Sequence, residues 1–495
     1  MRLKIALTAL LLPLLSITAF AQIRDYNYRF QIKGVNEKDT IYLANYYGKG
    51  LYYFDTAYAA KGGVFAFKNK KELKPGMFAL VFGKSMMTEV VINQQSFAAK
   101  MDTADLDNLT VFEGSPENDI FKAYKQRMIK ANRDVQPIKA LMDSAKDEKI
   151  KEGYRKQLQD LDEEVKAYQK QIADDNPNTF IGQMISMLVE VDVPPAPKDA
   201  KGNIIDSSFS YYYYKAHYFD RINLKHDYMV NCPIFHNKLE TYFKNVILQF
   251  PDTICDETKR LVAKMDQKGD MFKYTVNYVN ETYNKSELMG MDAVFVCLAD
   301  EYYLSGKAFW LDTARMNKIR EYAENIRPIL IGKPAYNLSL ADSTHKKWKK
   351  LYDEKGEYTV LVFWEPTCGH CKKEMPILAE MFNKTAGKDF SVYAVSSDSD
   401  ELWKKFIIDN KMRFTNVAVP SEIKKDQNEI YRLVSGGYTD ERSLNYHDTY
   451  DVFSTPKVFV LDKNKKIVAK QVAIDKLEEL IQQLREIEKR KLAKS

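Results

Sequence analysis

A junction in the last third of the chain limits most strongly what it can fold into. Tyr358 to Trp364 is an almost unbroken apolar run, the pattern of a strand covered on both faces by helices. It leads straight into Glu365-Pro366-Thr367-Cys368-Gly369-His370-Cys371-Lys372-Lys373-Glu374-Met375-Pro376, which places a C-x-x-C where the strand turns into a helix. Such a pair admits zinc binding or dithiol exchange. Zinc needs a second pair of Cys or His ligands at comparable spacing. Cys232, Cys255 and Cys297 stand singly, and His217, His226 and His236 fit no ligand motif. Dithiol exchange is the reading that remains, with no metal and no cofactor expected.

The junction also suggests roles. Cys368 falls at the helix start, where unpaired N–H groups and the helix dipole favour a thiolate, so it is the expected nucleophile. His370 adds a positive charge when protonated. By stabilising the reduced form it should make the pair more oxidising than one with Pro there. Cys371, inside the helix, is the expected resolving thiol that attacks the mixed disulfide on Cys368. Glu374 is three residues further on the same helical face, where its carboxylate can take up or return the Cys371 proton; the alternative is a plain solvated residue.

With 495 residues the chain exceeds what one core serves, about 250 to 300 residues, so roughly three domains are expected. Its 32 Tyr and 26 Phe exclude a disordered chain, and 20 Gly with 16 Pro exclude a collagen-like one. Lys and Arg total 74 against 68 Asp and Glu, and the excess of +6 is spread thinly except at Lys489 to Lys494. Nucleic acid is therefore not an expected partner. Five cysteines are too few for a disulfide scaffold.

Arg2 and Lys4 precede an apolar run from Ile5 to Leu15, followed by Ala19-Phe20-Ala21. This is the pattern of a secretory signal peptide, residues 1–21, cut after Ala21. No later stretch is apolar enough to span a membrane. The expected location is an exported space, the periplasm in a Gram-negative host.

Three modules follow. In residues 22–114 the runs Thr40 to Tyr46, Val64 to Phe67, Met77 to Phe82, Glu89 to Asn93 and Leu109 to Glu113 predict short strands of an all-β sandwich-like module. Residues 115–330 predict an α-helical module. Ile150, Tyr154, Leu158, Leu161, Val165, Tyr168 and Ile172 form a helical seam, with a facing helix upstream. Further helices are expected around 234–250, 255–285, 287–304 and 312–326. Within this module Tyr211 to Tyr214 read as interhelical packing, with a stacking platform as the alternative. Cys297 reads as a small core residue. A Cys232–Cys255 bridge would have to cross a helix of about 15 residues, which disfavours it. Residues 331–495 predict an α/β module in which Ser454-Thr455-Pro456 precedes a strand, a position suited to a cis-proline.

The last module resembles the thioredoxin-like family, in particular the TlpA type of exported thiol-disulfide oxidoreductases. The resemblance rests on Gly332-Lys333-Pro334-Ala335, Phe363-Trp364 before Cys368-Gly369-His370-Cys371, Pro376, and Ser454-Thr455-Pro456. Residues 25 to 115 resemble the small β domain that precedes such modules in Bacteroidetes proteins. The stretch Met289-Gly290-Met291-Asp292-Ala293-Val294-Phe295 resembles a helical domain of unknown function found between the two. The resemblance implies a C-terminal thioredoxin fold, Cys368 as nucleophile, Cys371 as resolving thiol, and Pro456 as a cis-proline beside which substrates pair with Thr455. Trp364 joins these as an expected substrate contact, and Glu374 matches an active-site Glu of relatives that reduce apocytochromes. Two departures stand out: Val362 replaces the buried acid that thioredoxin carries six residues before its first Cys, and Thr367 replaces the usual Trp. The stretch 420–449, with Gly436-Gly437, is longer than the family needs; it either shapes the groove or is a mobile surface loop.

The expected activity is thiol-disulfide exchange with cysteine-containing exported proteins, as a reductant recharged by a membrane electron donor. The alternatives are a disulfide oxidant or isomerase, a binding scaffold carrying a tethered redox module, and a peroxiredoxin-like peroxidase. The peroxidase pattern P-x-x-x-[ST]-x-x-C is not met before Cys368.

Overall fold

The structure, a computed structural model, describes residues 26–492 except 37, 84–85 and 386–388. The expected signal peptide lies outside the described residues. The described chain gathers into two compact units that meet in sequence at Glu240 and Thr241, inside the helical stretch rather than at its ends.

The first unit begins with eight strands: β1 (Tyr26–Lys33), β2 (Thr40–Tyr47), β3 (Gly50–Tyr58), β4 (Val64–Asn69), β5 (Gly76–Phe82), β6 (Met86–Ile92), β7 (Ser96–Asp102) and β8 (Val111–Glu113). They form two sheets, ordered β4-β1-β7-β8 and β3-β2-β5-β6. Alternate residues supply one shared core: Tyr28, Phe30 and Phe67 from the first sheet, Ile41, Leu43 and Leu80 from the second. The expected sandwich is thus present. Edge strand β3 is illegible in the sequence because only Ala57 of its nine residues is buried, which erases the period of two. The expected strand from Leu109 starts late. Asp105 accepts the Asn108 N–H and caps a short helix, Leu106–Leu109, so only β8 pairs with β7.

Helices α1 (Pro116–Ser144) and α2 (Glu148–Asp175) then form the expected hairpin. Pro116 stands at the first turn of α1, where its missing N–H costs nothing. Asp147 accepts from the N–H groups of Lys149 and Ile150 to start α2. Buried Asn118 ties α1 to β6, accepting the Val91 N–H at 2.8 Å and donating to the Val91 carbonyl at 2.7 Å. Tyr211, Tyr213 and Tyr214 are half-buried along Phe209–His217 and Tyr212 is exposed. His226 is held by Gln183 at 2.7 Å and the Tyr228 hydroxyl at 2.9 Å.

The second unit opens with α3 (Pro251–Val262), α4 (Asp270–Asn284), α5 (Asp292–Leu298) and α6 (Thr313–Ile326). The segment expected as one helix over 255–285 is broken, because Asp266 accepts the N–H groups of both Lys268 and Gly269 and turns the chain. The segment 287–304 becomes α5 followed by a π-helical turn, Ala299–Tyr303. Two cysteine expectations meet the structure here. Cys255 of α3 bonds to Cys297 of α5, with Cα atoms 6.4 Å apart, so Cys297 is not a lone core residue. Cys232 does not bridge to Cys255; it is a buried free thiol whose Sγ lies 3.6 Å from Met77 Sδ. Chain length alone separates Cys232 from Cys255, but it carries no sign that α3 and α5 pack side by side.

A seven-stranded sheet completes the unit. Its strands are β9 (Ser339–Asp342), β10 (Trp348–Lys350), β11 (Tyr358–Trp364), β12 (Ser391–Ser396), β13 (Thr415–Ala418), β14 (Lys457–Asp462) and β15 (Ile467–Lys470), in the order β10-β9-β13-β12-β11-β14-β15. All seven residues of β11 are buried, since both faces are covered. On one face Val360, Val362 and Trp364 pack with Cys371, Met375 and Leu378 of α7 (Gly369–Thr385). On the other, Leu361 and Phe363 pack with Tyr446 and Tyr450. Of the two expectations for 420–449, the mobile loop fails: the segment contains a helix, Gln427–Ser435, and ends in core tyrosines. Its Ser443 hydroxyl accepts the Ser339 N–H at 3.0 Å, fixing it to β9.

Candidate dithiol site

Strand β11 ends at Trp364 and α7 begins at Gly369, so the four residues between them form the turn that presents Cys368. The turn is closed by the Cys368 N–H on the Glu365 carbonyl at 3.2 Å, and the helix starts with the Lys372 N–H on the Cys368 carbonyl at 3.0 Å. Cys368 is partly exposed, whereas Cys371 is fully buried. Both are free thiols.

The two sulfurs are pushed in opposite directions. The Cys371 backbone N–H is the main cause that holds the Cys368 thiol below its ordinary value, with smaller help from Thr455 and the His370 N–H. This is the helix N-terminus acting on an anion. Burial pushes the Cys371 thiol up to about 12. Cys368 therefore favours the folded state above the ordinary thiol pKa, an advantage lost as pH falls through its lowered folded value. For Cys371 the advantage is present below the ordinary thiol pKa and is lost as pH climbs towards about 12. An alkylation profile of the reduced protein should show one fast thiol that reacts at lower pH than a free cysteine, mapped to Cys368 by peptide mass, with Cys371 unmodified. Equal labelling of both would contradict this asymmetry.

The other side of the site is the Thr455–Pro456 bond, which is cis. The Cys368 thiol donates to the Thr455 carbonyl at 3.3 Å, so the residue expected to pair with substrate sits against the outer sulfur. Beside it lies a cleft of about 500 Å³ lined by Glu374, Asp451, Phe453, Ser454, Pro456 and Lys457, among others. Cys368, Cys371, Thr455, Pro456 and Glu374 are thus gathered at one place. The His370 residue is exposed and acts on Cys368 through its backbone N–H. Trp364 is a correction. It has no exposed surface and packs on Phe406 with ring centres 5.1 Å apart, so it lies in the core beneath the dithiol instead of facing the cleft. Val362, in the position of thioredoxin's buried acid, is wholly enclosed by apolar neighbours.

Sequence reasoning missed two features. Asp398, just past β12, has its carboxyl raised by burial and then by the nearby charges of Asp400 and Glu365; nothing in the linear pattern places it near the turn. Phe453, 85% exposed, stands at the mouth of the cleft. An aromatic directly before Ser454-Thr455-Pro456 was the available signal.

Comparison with known proteins places three family models along the chain. The AhpC/TSA family matches residues 331–470, and two domains of unknown function, DUF4369 and DUF5106, match 29–121 and 169–328. The thiol-disulfide oxidoreductase ResA of Bacillus cereus is 30% identical over 150 residues, 30% of this chain and 74% of that protein. ResA of Bacillus subtilis is 26% identical over 137 residues, 28% of this chain and 64% of that protein. Among solved structures, a domain of a possible thiol-disulfide isomerase from Cytophaga hutchinsonii is 34% identical, covering 32% of this chain and 96% of that one, with a TM-score of 0.26. A thioredoxin-like protein from Bacteroides caccae is 16% identical, covering 59% and 97%, with a TM-score of 0.41.

Proposed function

Because the chain belongs to the thioredoxin-like thiol-disulfide oxidoreductases of the ResA and TlpA type, we propose that Cys368 and Cys371 are its working thiols, acting as a reductant of exported proteins. The observation that carries this is the split between an accessible thiol with a lowered pKa and a buried one raised to about 12, both against the cis-Pro456 turn.

The Cys368 thiolate attacks one sulfur of a substrate disulfide. A bond forms between the two sulfurs as the substrate's S–S bond breaks, and the departing thiolate takes a proton. Cys371 loses its proton, attacks Cys368 Sγ and expels the second substrate thiol. The substrate gains two electrons and two protons, and the enzyme is left with a Cys368–Cys371 disulfide. Glu374 is the proposed acceptor of the Cys371 proton, while Thr455 and Pro456 hold the substrate backbone. A dithiol donor must then restore the pair. We place that donor in the membrane and the enzyme in the periplasm, on the strength of the leader-like residues 1–21. No helix among the described residues is long and apolar enough to cross a membrane.

Insulin reduction by the purified protein with dithiothreitol tests the reading; an inert wild type would end it. His370 supports the oxidant or isomerase reading, so direction is tested by the midpoint potential. A value below about −250 mV fits a reductant, and one near the −180 mV of protein disulfide isomerase fits the alternative. A peroxidase reading predicts turnover of hydrogen peroxide with the same donor, and its absence removes that reading.

A further inference from the structure

The stretch Met289 to Phe295 has no part in the chemistry above, yet it meets the redox fold behind the cis-proline. Asp292 opens α5, and its Oδ2 accepts from Lys470 Nζ. Lys470 is only 5% exposed and also donates to the Ile329 carbonyl at 3.1 Å. It ends β15 directly opposite Phe459 of β14. Lys457, two residues before Phe459 and next after Pro456, projects from the same face of that strand. Its Nζ donates to Asp451, to the backbone carbonyl and to Oδ2, the latter at 3.1 Å. Asp451 has φ of 53°, so Lys457 clasps a left-handed turn at the start of the segment that delivers Ser454, Thr455 and Pro456.

The four charges form one group, with Lys470 buried and the other three partly so. Burial lowers the Lys457 pKa, Asp451 opposes the effect, and the charges of Lys470 and Asp292 are also felt there. The Tyr322 hydroxyl of α6 is raised by burial and then by both Asp451 and Asp292. Each aspartate's Oδ1 is buried with no hydrogen-bond partner among the described residues, so neither carboxylate has a substitute for its lysine. Asp451 and Lys457 themselves line the cleft beside Pro456 and Glu374.

We propose that Asp292 is a positioning residue for thiol-disulfide exchange: through Lys470, and through the Lys457–Asp451 clasp beside it, the helical segment fixes the cis-Pro456 wall against which a polypeptide substrate lies. The proposal rests on Cys368 and Cys371 being the working thiols. It assigns the segment a part in binding extended polypeptides and none in making Cys368 nucleophilic.

The test compares two substrates of the full chain, insulin, which needs the groove, and hydroxyethyl disulfide, which does not. Three variants are used: Asp292→Asn, Asp292→Glu, and Asp292→Asn combined with Lys470→Met. The double variant removes the stranded charge that makes a broken buried pair destabilising, so it separates stability from positioning. Asp292→Asn and the double variant should lose about tenfold in kcat/KM on insulin, mainly through KM, as expected for a substrate wall displaced by an ångström or less. Turnover of hydroxyethyl disulfide and the alkylation profile of Cys368 should be unchanged, and Asp292→Glu should retain most of the insulin activity. Equal losses on both substrates, no loss on either, or recovery of insulin activity in the double variant would overturn the proposal. A wild type inert on both substrates would instead overturn the function on which it rests.

Discussion

Cys371→Ala is expected to turn the protein from a catalyst into a covalent trap, holding substrates on Cys368 as mixed disulfides that survive non-reducing electrophoresis and dissolve in dithiothreitol. Cys371 is buried and its thiol is pushed up to about 12, so outside the exchange step it stays protonated. In the proposed cycle its attack on Cys368 releases the partner, and removing it leaves release to chance encounters with other thiols. Cys368→Ser should have the complementary effect, with no trapped species and insulin reduction down by at least about a thousandfold, because a serine hydroxyl has neither the acidity nor the nucleophilicity of this thiol. Trapping by Cys368→Ser, or none by Cys371→Ala, would show that the roles are wrongly placed.

The second large effect is on stability. The Cys255–Cys297 bond closes a loop across 42 residues, and chain-entropy arguments give such a closure about 4 kcal/mol. Replacing both cysteines by Ala should lower the unfolding free energy by up to that amount, read as a shift in denaturant midpoint. Cys255 is 7% exposed and Cys297 half-buried, and limited access slows exchange with the bond. Thiol counting after denaturation without reductant should therefore give three thiols when the Cys368–Cys371 pair is reduced and one when it is oxidised. Five would show that the second bond is absent.

What could be read from the sequence tracks how local the physics is. The apolar run of β11, the turn, and the start of α7 are set by neighbours in the chain, so the strand-to-helix position of Cys368 and Cys371 is legible. The same holds for the α2 seam, whose period needs only its own residues. Strand β3 is lost because an edge strand exposed on both faces carries no alternation. The Cys255–Cys297 bond is lost because it depends on two helices packing across a turn. Trp364 is misread because an aromatic just before the dithiol looks the same in sequence whether its ring points up to the groove or down into the core. The Asp292–Lys470 pair is invisible because its members lie far apart in sequence, and Asp398 because the burial that raises it and its approach to Glu365 depend on the fold.

That last pair bears on how the chain is divided in the laboratory. The AhpC/TSA match starts at residue 331, an inviting place to cut. A fragment begun there would lose both Asp292 and the Ile329 carbonyl, the acceptors that hold the Lys470 ammonium. On the proposal above, such a fragment should bind insulin more weakly than the intact chain, and equal KM values for the two would count against it. A piece begun near Thr241, where the chain itself changes compact unit, keeps Asp292, Ile329 and Lys470 together. The boundary that sequence families recognise and the boundary that the packing respects are thus about ninety residues apart in this molecule.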